Sequence, residues 1–320
     1  MSENTNLEFF NLELIRKTEV AQDTWLFEFS RPDRALLPTF EAGSHVTVVT
    51  PSGARRQYSL CGDQVKTDTY MIAIKAEREG RGASISMVDD TSVGDRLDVS
   101  TPENTFPMVD ANDYLFIAGG IGITPILSMI RQLKRSGHTA YRLIYVARDR
   151  SLAAFADDLE TLGGDRVMIH CDEGQADNFY DFWPLFETPG KSHVYCCGPR
   201  PLMEEIKAVS GHWSPERMHF EDFASDVRAI RDNDTAFTVR HADTGEEIQI
   251  PADATILETL RDKGHALPSS CESGTCGTCR TELVEGEADH RDMVLEEHQR
   301  DSYIMICVSR ALSDKLVLRW

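Results

Sequence analysis

Three cysteines fall within nine residues, in CESGTCGTC at positions 271 to 279, and a fourth, Cys307, follows after 27 intervening residues. Thiols so placed can hold a metal, form a disulfide knot or be neighbours by accident. Zinc ribbons use two C-x2-C pairs, whereas this stretch has one such pair and no histidine at finger spacing. C-x4-C-x2-C followed by a distant cysteine is the spacing of a plant-type [2Fe-2S] loop, in which Cys271, Cys276, Cys279 and Cys307 would bind two irons bridged by two sulfides. The residues between the ligands, Ser273, Gly274, Thr275, Gly277 and Thr278, are small. A backbone that wraps a cluster and aims amides at its sulfurs requires this. A zinc or redox-thiol site is the competing reading.

Four other short stretches could do chemistry. RRQYSL, Arg55 to Leu60, offers a permanently charged fork for phosphate, an aromatic face and a hydroxyl, although an ordinary β-edge reads the same way. GRGAS, Gly80 to Ser84, precedes a short helix whose amino-terminal amides would favour a phosphate. GGIGITP, Gly119 to Pro125, joins a buried strand to a helix, with Thr124 expected as the cap and Pro125 as the first helical residue. Proline stands there in place of the third glycine of G-x-G-x-x-G, so the usual dehydrogenase fingerprint is missing, and a purely structural turn remains open. CCGPRPLM, Cys196 to Met203, is again a strand end followed by a helix, and cysteines in a parallel strand are commonly small buried hydrophobes.

The elements that must hold these residues come in three rhythms. From about Leu7 to Pro107, LEFFNLELI, TWLFEFS, HVTVVT, YMIAIKA and RLDVSTP alternate or are β-branched between Gly, Pro and Asp turns, the pattern of an antiparallel barrel or sandwich. From Tyr114 onward strands and helices alternate, which implies a parallel sheet with helices on both faces. A polar stretch from Ser225 to Asp234 reads as a linker; beyond it lie a hairpin turning at Asp243, Thr244 and Gly245, a short helix in ATILETLRDKG, and the cysteine loop. The 320 residues suffice for two or three cores, and 41% hydrophobic beside 27% charged residues describes a globular chain. A formal charge of -20 disfavours nucleic acid as a partner. The absence of a secretory pattern at the amino terminus and of a persuasive membrane span places the protein in the cytoplasm, where thiols stay reduced.

The order of these rhythms, CESGTCGTCRTEL, EGEADHRDMVL and CVSRA together resemble the phthalate dioxygenase reductase family, the reductase components of bacterial Rieske oxygenases, over essentially the whole chain. The resemblance implies an antiparallel FMN-binding β-barrel at 1–108, a ferredoxin reductase-like parallel-sheet domain for NADH at 109–226, and a linker with a β-grasp plant-type ferredoxin domain at 227–320. Through the R-x-Y-S motif it puts Arg56 on the flavin phosphate, Tyr58 against the isoalloxazine and Ser59 near the reactive N5, with Arg55 and Leu60 in the same stretch. Arg81, Gly82, Ala83 and Ser84 join the phosphate site, Ala83 replacing a family glycine; Lys75 and Phe223 are further candidates for lining the flavin. GGIGITP matches the family's GGxGxTP, so Gly119, Gly120, Gly122, Thr124 and Pro125 would receive the pyrophosphate. Cys197, Gly198 and Pro199 would border the nicotinamide, and Arg148 the adenosine ribose. Ser59 and Cys197 are the candidates nearest the reaction, in which hydride passes from NADH to FMN and single electrons leave through the cluster to a terminal Rieske oxygenase. A monomer that meets its oxygenase transiently is expected. The rivals are a stand-alone NAD(P)H flavin or ferric reductase, a reductase serving a vanillate- or carnitine-type demethylase or monooxygenase, and a non-catalytic electron carrier.

Overall fold

The computed structural model describes residues 8–78, 82–223, 231, 233–269, 274, 277–292 and 294–320. The chain divides into two compact units, Met1–Phe223 and Ala224–Trp320.

Six strands open the first unit: β1 (Phe9–Ala21), β2 (Thr24–Ser30), β3 (His45–Val49), β4 (Arg55–Ser59), β5 (Tyr70–Lys75) and β6 (Arg96–Ser100). They pair antiparallel in the order β4-β3-β6-β1-β2-β5. Leu60 forms a bridge with Ile72, and the Cys61 amide donates to the Met71 carbonyl at 2.9 Å, so the two edges meet and the sheet closes as a barrel. Closure removes the exposed edges that an open sheet would present. Period-two alternation fills the interior: Leu12, Leu14, Phe27, Phe29, Val46, Val48, Ile72 and Ile74 share one core. A short helix, α1 (Ala83–Asp89), starts from Gly82, whose φ of 82° suits glycine.

Strands and helices then alternate: β7 (Tyr114–Gly119), α2 (Ile123–Ser136), β8 (Tyr141–Ala147), α3 (Ala156–Gly163), β9 (Val167–Cys171), α4 (Trp183–Phe186), β10 (His193–Cys197), α5 (Arg200–Val209) and β11 (Met218–Glu221). All five strands are parallel in the order β11-β10-β7-β8-β9. Strand β7 is buried along its whole length, as a central strand covered on both faces must be. The strand order reverses between β7 and β10, and the crevice beyond their carboxyl ends is where open α/β sheets bind ligands. Strand β11 was not foreseen in the sequence, because MHFE is too short to show a period.

The expected cap of α2 is corrected. A 3-10 turn, Gly120–Gly122, leads straight into the helix, Gly122 occupies the cap position without a side-chain cap, and the Thr124 hydroxyl donates to the Ile121 carbonyl at 3.0 Å from within the helix. The turn enters at Gly120 with φ 52°, which moves the first helical residue back to Ile123 and puts Pro125 third. One apolar cluster joins barrel residues Leu26, Ala42, Cys61, Ala73 and Phe106 to Phe116, Ile123, Ile126, Leu127, Ile130 and Tyr195, so barrel and parallel sheet share a core.

In the second unit β12 (Phe237–His241), β13 (Glu247–Ile250), α6 (Ile256–Asp262), β14 (Arg280–Glu285), β15 (Ala288–Asp289), α7 (Glu297–Arg300), β16 (Tyr303–Met305), β17 (Arg310–Ala311) and β18 (Lys315–Arg319) form a β-grasp. The main sheet runs β13-β12-β18-β14-β16, with β12 and β18 parallel at its centre. Helix α6 carries a capping box between Thr255 and Glu258 and buries Ile256, Leu257 and Leu260. Residues 225–230 and 232 of the expected linker lie outside the described residues. Its last residue, Asp234, is firmly anchored: its carboxylate accepts from Arg291 at 2.6 and 2.8 Å and stands 3.4 Å from the Arg310 guanidinium, both arginines being buried. Among the described residues no helix is long and apolar enough to cross a membrane.

Candidate functional site

At the switch point two turns interlock. A Cβ built on Gly122 would lie 2.2 Å from the Cys197 carbonyl oxygen, and one on Gly119 would lie 2.7 Å from both Pro199 Cδ and Leu202 Cδ2. Gly198 is confined as well, since a Cβ there would lie 2.9 Å from the Gly119 amide nitrogen. Glycine at these places lets the GGIG and CGP turns cross, while Gly120 faces open space and its carbonyl accepts from the Tyr145 hydroxyl at 3.0 Å. Gly119, Gly122, Cys197, Gly198 and Pro199 are thus brought together, with Thr124 and Pro125 buried in the first turn of α2 behind them. Barrel strand β5, which ends at Lys75, runs against the Gly120–Gly122 turn. Such turns at the carboxyl ends of switch-point strands are where open α/β sheets take phosphate-bearing ligands.

Cys196 and Cys197 point to opposite faces of β10 and belong to different apolar clusters. Burial pushes the Cys196 thiol up to about 12. Burial, reinforced by Glu221, Cys196 and Asp222, holds the Cys197 thiol well above its usual range, so neither is a thiolate nucleophile. Phe223 packs against the cluster that contains Cys197 and Ile123. Beyond β8, Arg148 is exposed and its side chain lies along Gly174, whereas Arg150 is clamped by Asp157 at 2.7 Å and by Glu160 at 2.7 and 2.8 Å.

On the barrel, β4 turns Tyr58 and Ser59 to opposite faces, opposite Val46 and His45 respectively. The Ser59 hydroxyl is buried without a hydrogen-bond partner among the described residues. A buried hydroxyl is rarely left unmatched, so an additional polar group fits here, as a flavin site requires. Tyr58 packs against the barrel core, and burial raises its phenol well above the ordinary range. The Arg56 guanidinium donates to the Arg55 carbonyl at 2.7 Å, and that of Arg55 lies over the Phe9 ring, 5.1 Å from its centroid. Leu60 is wholly buried in the barrel core. Lys75 pairs with Glu77 at 2.9 Å, and the Ser84 hydroxyl accepts from the Glu77 amide at 3.0 Å. Gly82 and Ala83 open α1, where Ala83 tolerates its Cβ in helical backbone. Arg81 lies outside the described residues.

In the second unit Cys279 immediately precedes β14 and Cys307 follows β16; the register Arg280 to Met305 sets the two thiols at neighbouring places, both buried. Neither is in a disulfide, and Cys271 and Cys276 lie outside the described residues. Gly274, at φ 76°, leaves no room for a side chain, since its Cβ would sit 2.7 Å from Val308. Asp292 holds the adjoining segment by accepting from the Val294 and Leu295 amides at 3.1 and 2.8 Å. Cys279 and Cys307, buried and unbridged, are two of the four thiols that an iron-sulfur cluster of this type takes.

One residue escaped the sequence reading. Glu221, at the end of β11, is in register with Cys197, and its Oε2 is closed off from solvent with no hydrogen-bond partner among the described residues. Burial raises its carboxyl to about 8, so it holds a proton at neutral pH. An acid in so acidic a chain carries no local signal; only its place beside the switch point distinguishes it. His219 of the same strand stacks on Tyr195, 4.3 Å between ring centres.

Residues 11–107 match the family described as an oxidoreductase FAD-binding domain, 116–208 the oxidoreductase NAD-binding domain, and 239–312 the 2Fe-2S iron-sulfur cluster binding domain. The chain is 49% identical to the phthalate 4,5-dioxygenase oxygenase reductase subunit of Pseudomonas putida, over 99% of this chain and 98% of that one. It is 48% identical to phthalate dioxygenase reductase of Burkholderia cepacia, over 97% of each. A solved phthalate dioxygenase reductase, titled a modular structure for electron transfer from pyridine nucleotides to [2Fe-2S], superposes with a TM-score of 0.88 at 47% identity over 98% of both chains.

Proposed function

Because the chain belongs to the family of phthalate dioxygenase reductase and related oxygenase reductases, we propose that it is the reductase component of a Rieske-type aromatic-acid oxygenase, drawing electrons from NADH. The observation that carries this reading is the interlocked pair of turns at the switch point, a backbone-lined seat for a dinucleotide on the same chain as paired buried thiols. A flavin, when bound, supplies the exchange between a two-electron hydride and one-electron transfer. FMN is the flavin we propose, on the strength of the family resemblance.

The chain's own groups bind and orient. Arg55 and Arg56, with Arg81, Gly82, Ala83 and Ser84, serve the flavin phosphate; Tyr58, Leu60, Lys75 and Phe223 surround the ring, and the buried Ser59 Oγ offers it a hydrogen bond. Gly119, Gly120, Gly122, Thr124 and Pro125 seat the pyrophosphate, Arg148 the ribose, and Cys197, Gly198 and Pro199 the nicotinamide. Cys271, Cys276, Cys279 and Cys307 hold the cluster. No side chain has to act as general acid or base. The proposed domains are 1–108, 109–226 and 227–320. A monomer in the cytoplasm that meets its oxygenase transiently completes the reading, supported by the absence of disulfides among the described cysteines.

Replacing Cys276 with Ser tests it. NADH-dependent ferricyanide reduction should survive, with FMN as the flavin released on heating, while one-electron delivery to an oxygenase collapses. Equal loss of both activities in a folded variant would refute the order of carriers.

A further inference from the structure

Five hydrogen-bonding side chains tie the end of the flavin-site strand to the helix that rises from the nucleotide turn. Gln64, only 5% exposed, donates through its amide nitrogen to the Ser128 carbonyl at 2.8 Å and the Ser128 hydroxyl at 2.7 Å. Its amide oxygen accepts from Arg135 at 2.9 Å, and the same guanidinium reaches Asp63 at 2.6 Å. Arg131 donates to the Cys61 carbonyl. Ser128, Arg131 and Arg135 are spaced three and four apart and so share one face of α2, and everything they hold lies in residues 61–64, directly after Tyr58, Ser59 and Leu60. At the other end of α2 stands Gly122, with Ser128 roughly 9 Å along the helix at about 1.5 Å per residue.

The apolar part of this contact, through Cys61, Ala73, Ile126 and Ile130, is non-directional and would tolerate sliding. The hydrogen bonds are directional and would not. We propose that Gln64, held by Ser128 and Arg135 and seconded by Arg131, is a positioning residue that fixes the nucleotide turn against the flavin-site strand to within a fraction of an ångström. The proposal rests on the reductase reading. In that reaction the C4–H bond of NADH breaks, both bonding electrons leave with the hydrogen as hydride, the flavin accepts it and NAD+ remains. Misplacement by about 1 Å costs a transfer of this kind on the order of a hundredfold.

Rapid mixing of the holoprotein with NADH tests the latch in Gln64→Leu and, independently, in Arg135→Ala, which releases the same amide from the exposed side. Expected are a limiting rate of flavin bleaching lowered about 10- to 100-fold for Gln64→Leu and severalfold for Arg135→Ala. The NADH dissociation constant and flavin content should stay within twofold, and the long-wavelength absorbance of the nicotinamide–flavin pair should weaken. An unchanged limiting rate in either folded variant overturns the proposal, as does a loss confined to flavin content or NADH affinity. If Gln64→Leu does not fold, Arg135→Ala decides alone. Failure of the parent protein to bleach with NADH would instead remove the reductase reading beneath it.

Discussion

Glu221 shows what a single half-buried side chain contributes where one carboxyl oxygen is closed off from water. Its folded carboxyl titrates near 8 against an ordinary value of 4.5, so between those values the folded chain holds one proton more than the unfolded chain, and stability falls as pH rises through that window. Glu221→Gln cannot ionise and should lose this dependence, gaining about 1.4 kcal/mol on the parent for each pH unit crossed. Thermal melts at pH 5 and pH 7.5 check it: the variant's advantage in midpoint should widen with pH, and a constant difference would show that the carboxyl is solvated. The cysteine spacing could be read directly because its meaning is local. Glu221 and Gln64 could not, since the one acquires its role from β10 and the other from Ser128, a partner 64 residues distant.

Elements explain why the short motifs have their composition. In the sequence the glycines of GGIGITP suggested room for a pyrophosphate; in the fold, Gly119 and Gly122 are required first by the crossing CGP turn, and only Gly120 faces open space. Gly122→Ala would place a methyl 2.2 Å from the Cys197 carbonyl oxygen, which the two turns can relieve only by parting. The expected result is about 1–3 kcal/mol of destabilisation and loss of NADH-driven bleaching, while dithionite still reduces flavin and cluster. Bleaching at the parental rate would show that the turns yield without consequence. Strands with apolar runs between turn signals, such as TWLFEFS, were legible from the sequence, as was the hairpin at Gly245. Strand β11 and the start of α2 were not: the first is held by its parallel register with β10, and the second is displaced by a 3-10 turn that begins at Gly120.

At the scale of the whole molecule the two units are secured differently. The barrel and the parallel sheet merge through a continuous apolar cluster, whereas Ala224–Trp320 contains a buried ionic knot of Asp234, Arg291, Asp289 and Arg310. Asp234→Asn removes the carboxylate that two buried guanidiniums share and should cost that unit about 3–5 kcal/mol. Followed by heating, the cluster's absorbance should be lost at a lower temperature in the variant while flavin release stays at the parental temperature; an unmoved cluster transition would assign the knot no stabilising role. The anchoring of Asp234 was not legible in the sequence, because a polar residue near a domain boundary looks solvated until its partners, far along the chain, are in place.

The central pairing of β12 with β18 bears on the order of biosynthesis. Strand β18 lies between β12 and β14 in the sheet, yet it is translated after all four cysteines. Cys307 stands so close before β18 that it leaves the ribosome only once that strand has been synthesised, so the full set of thiols and the strand around which their domain is organised reach the cell together. Cluster insertion therefore belongs after translation of β18.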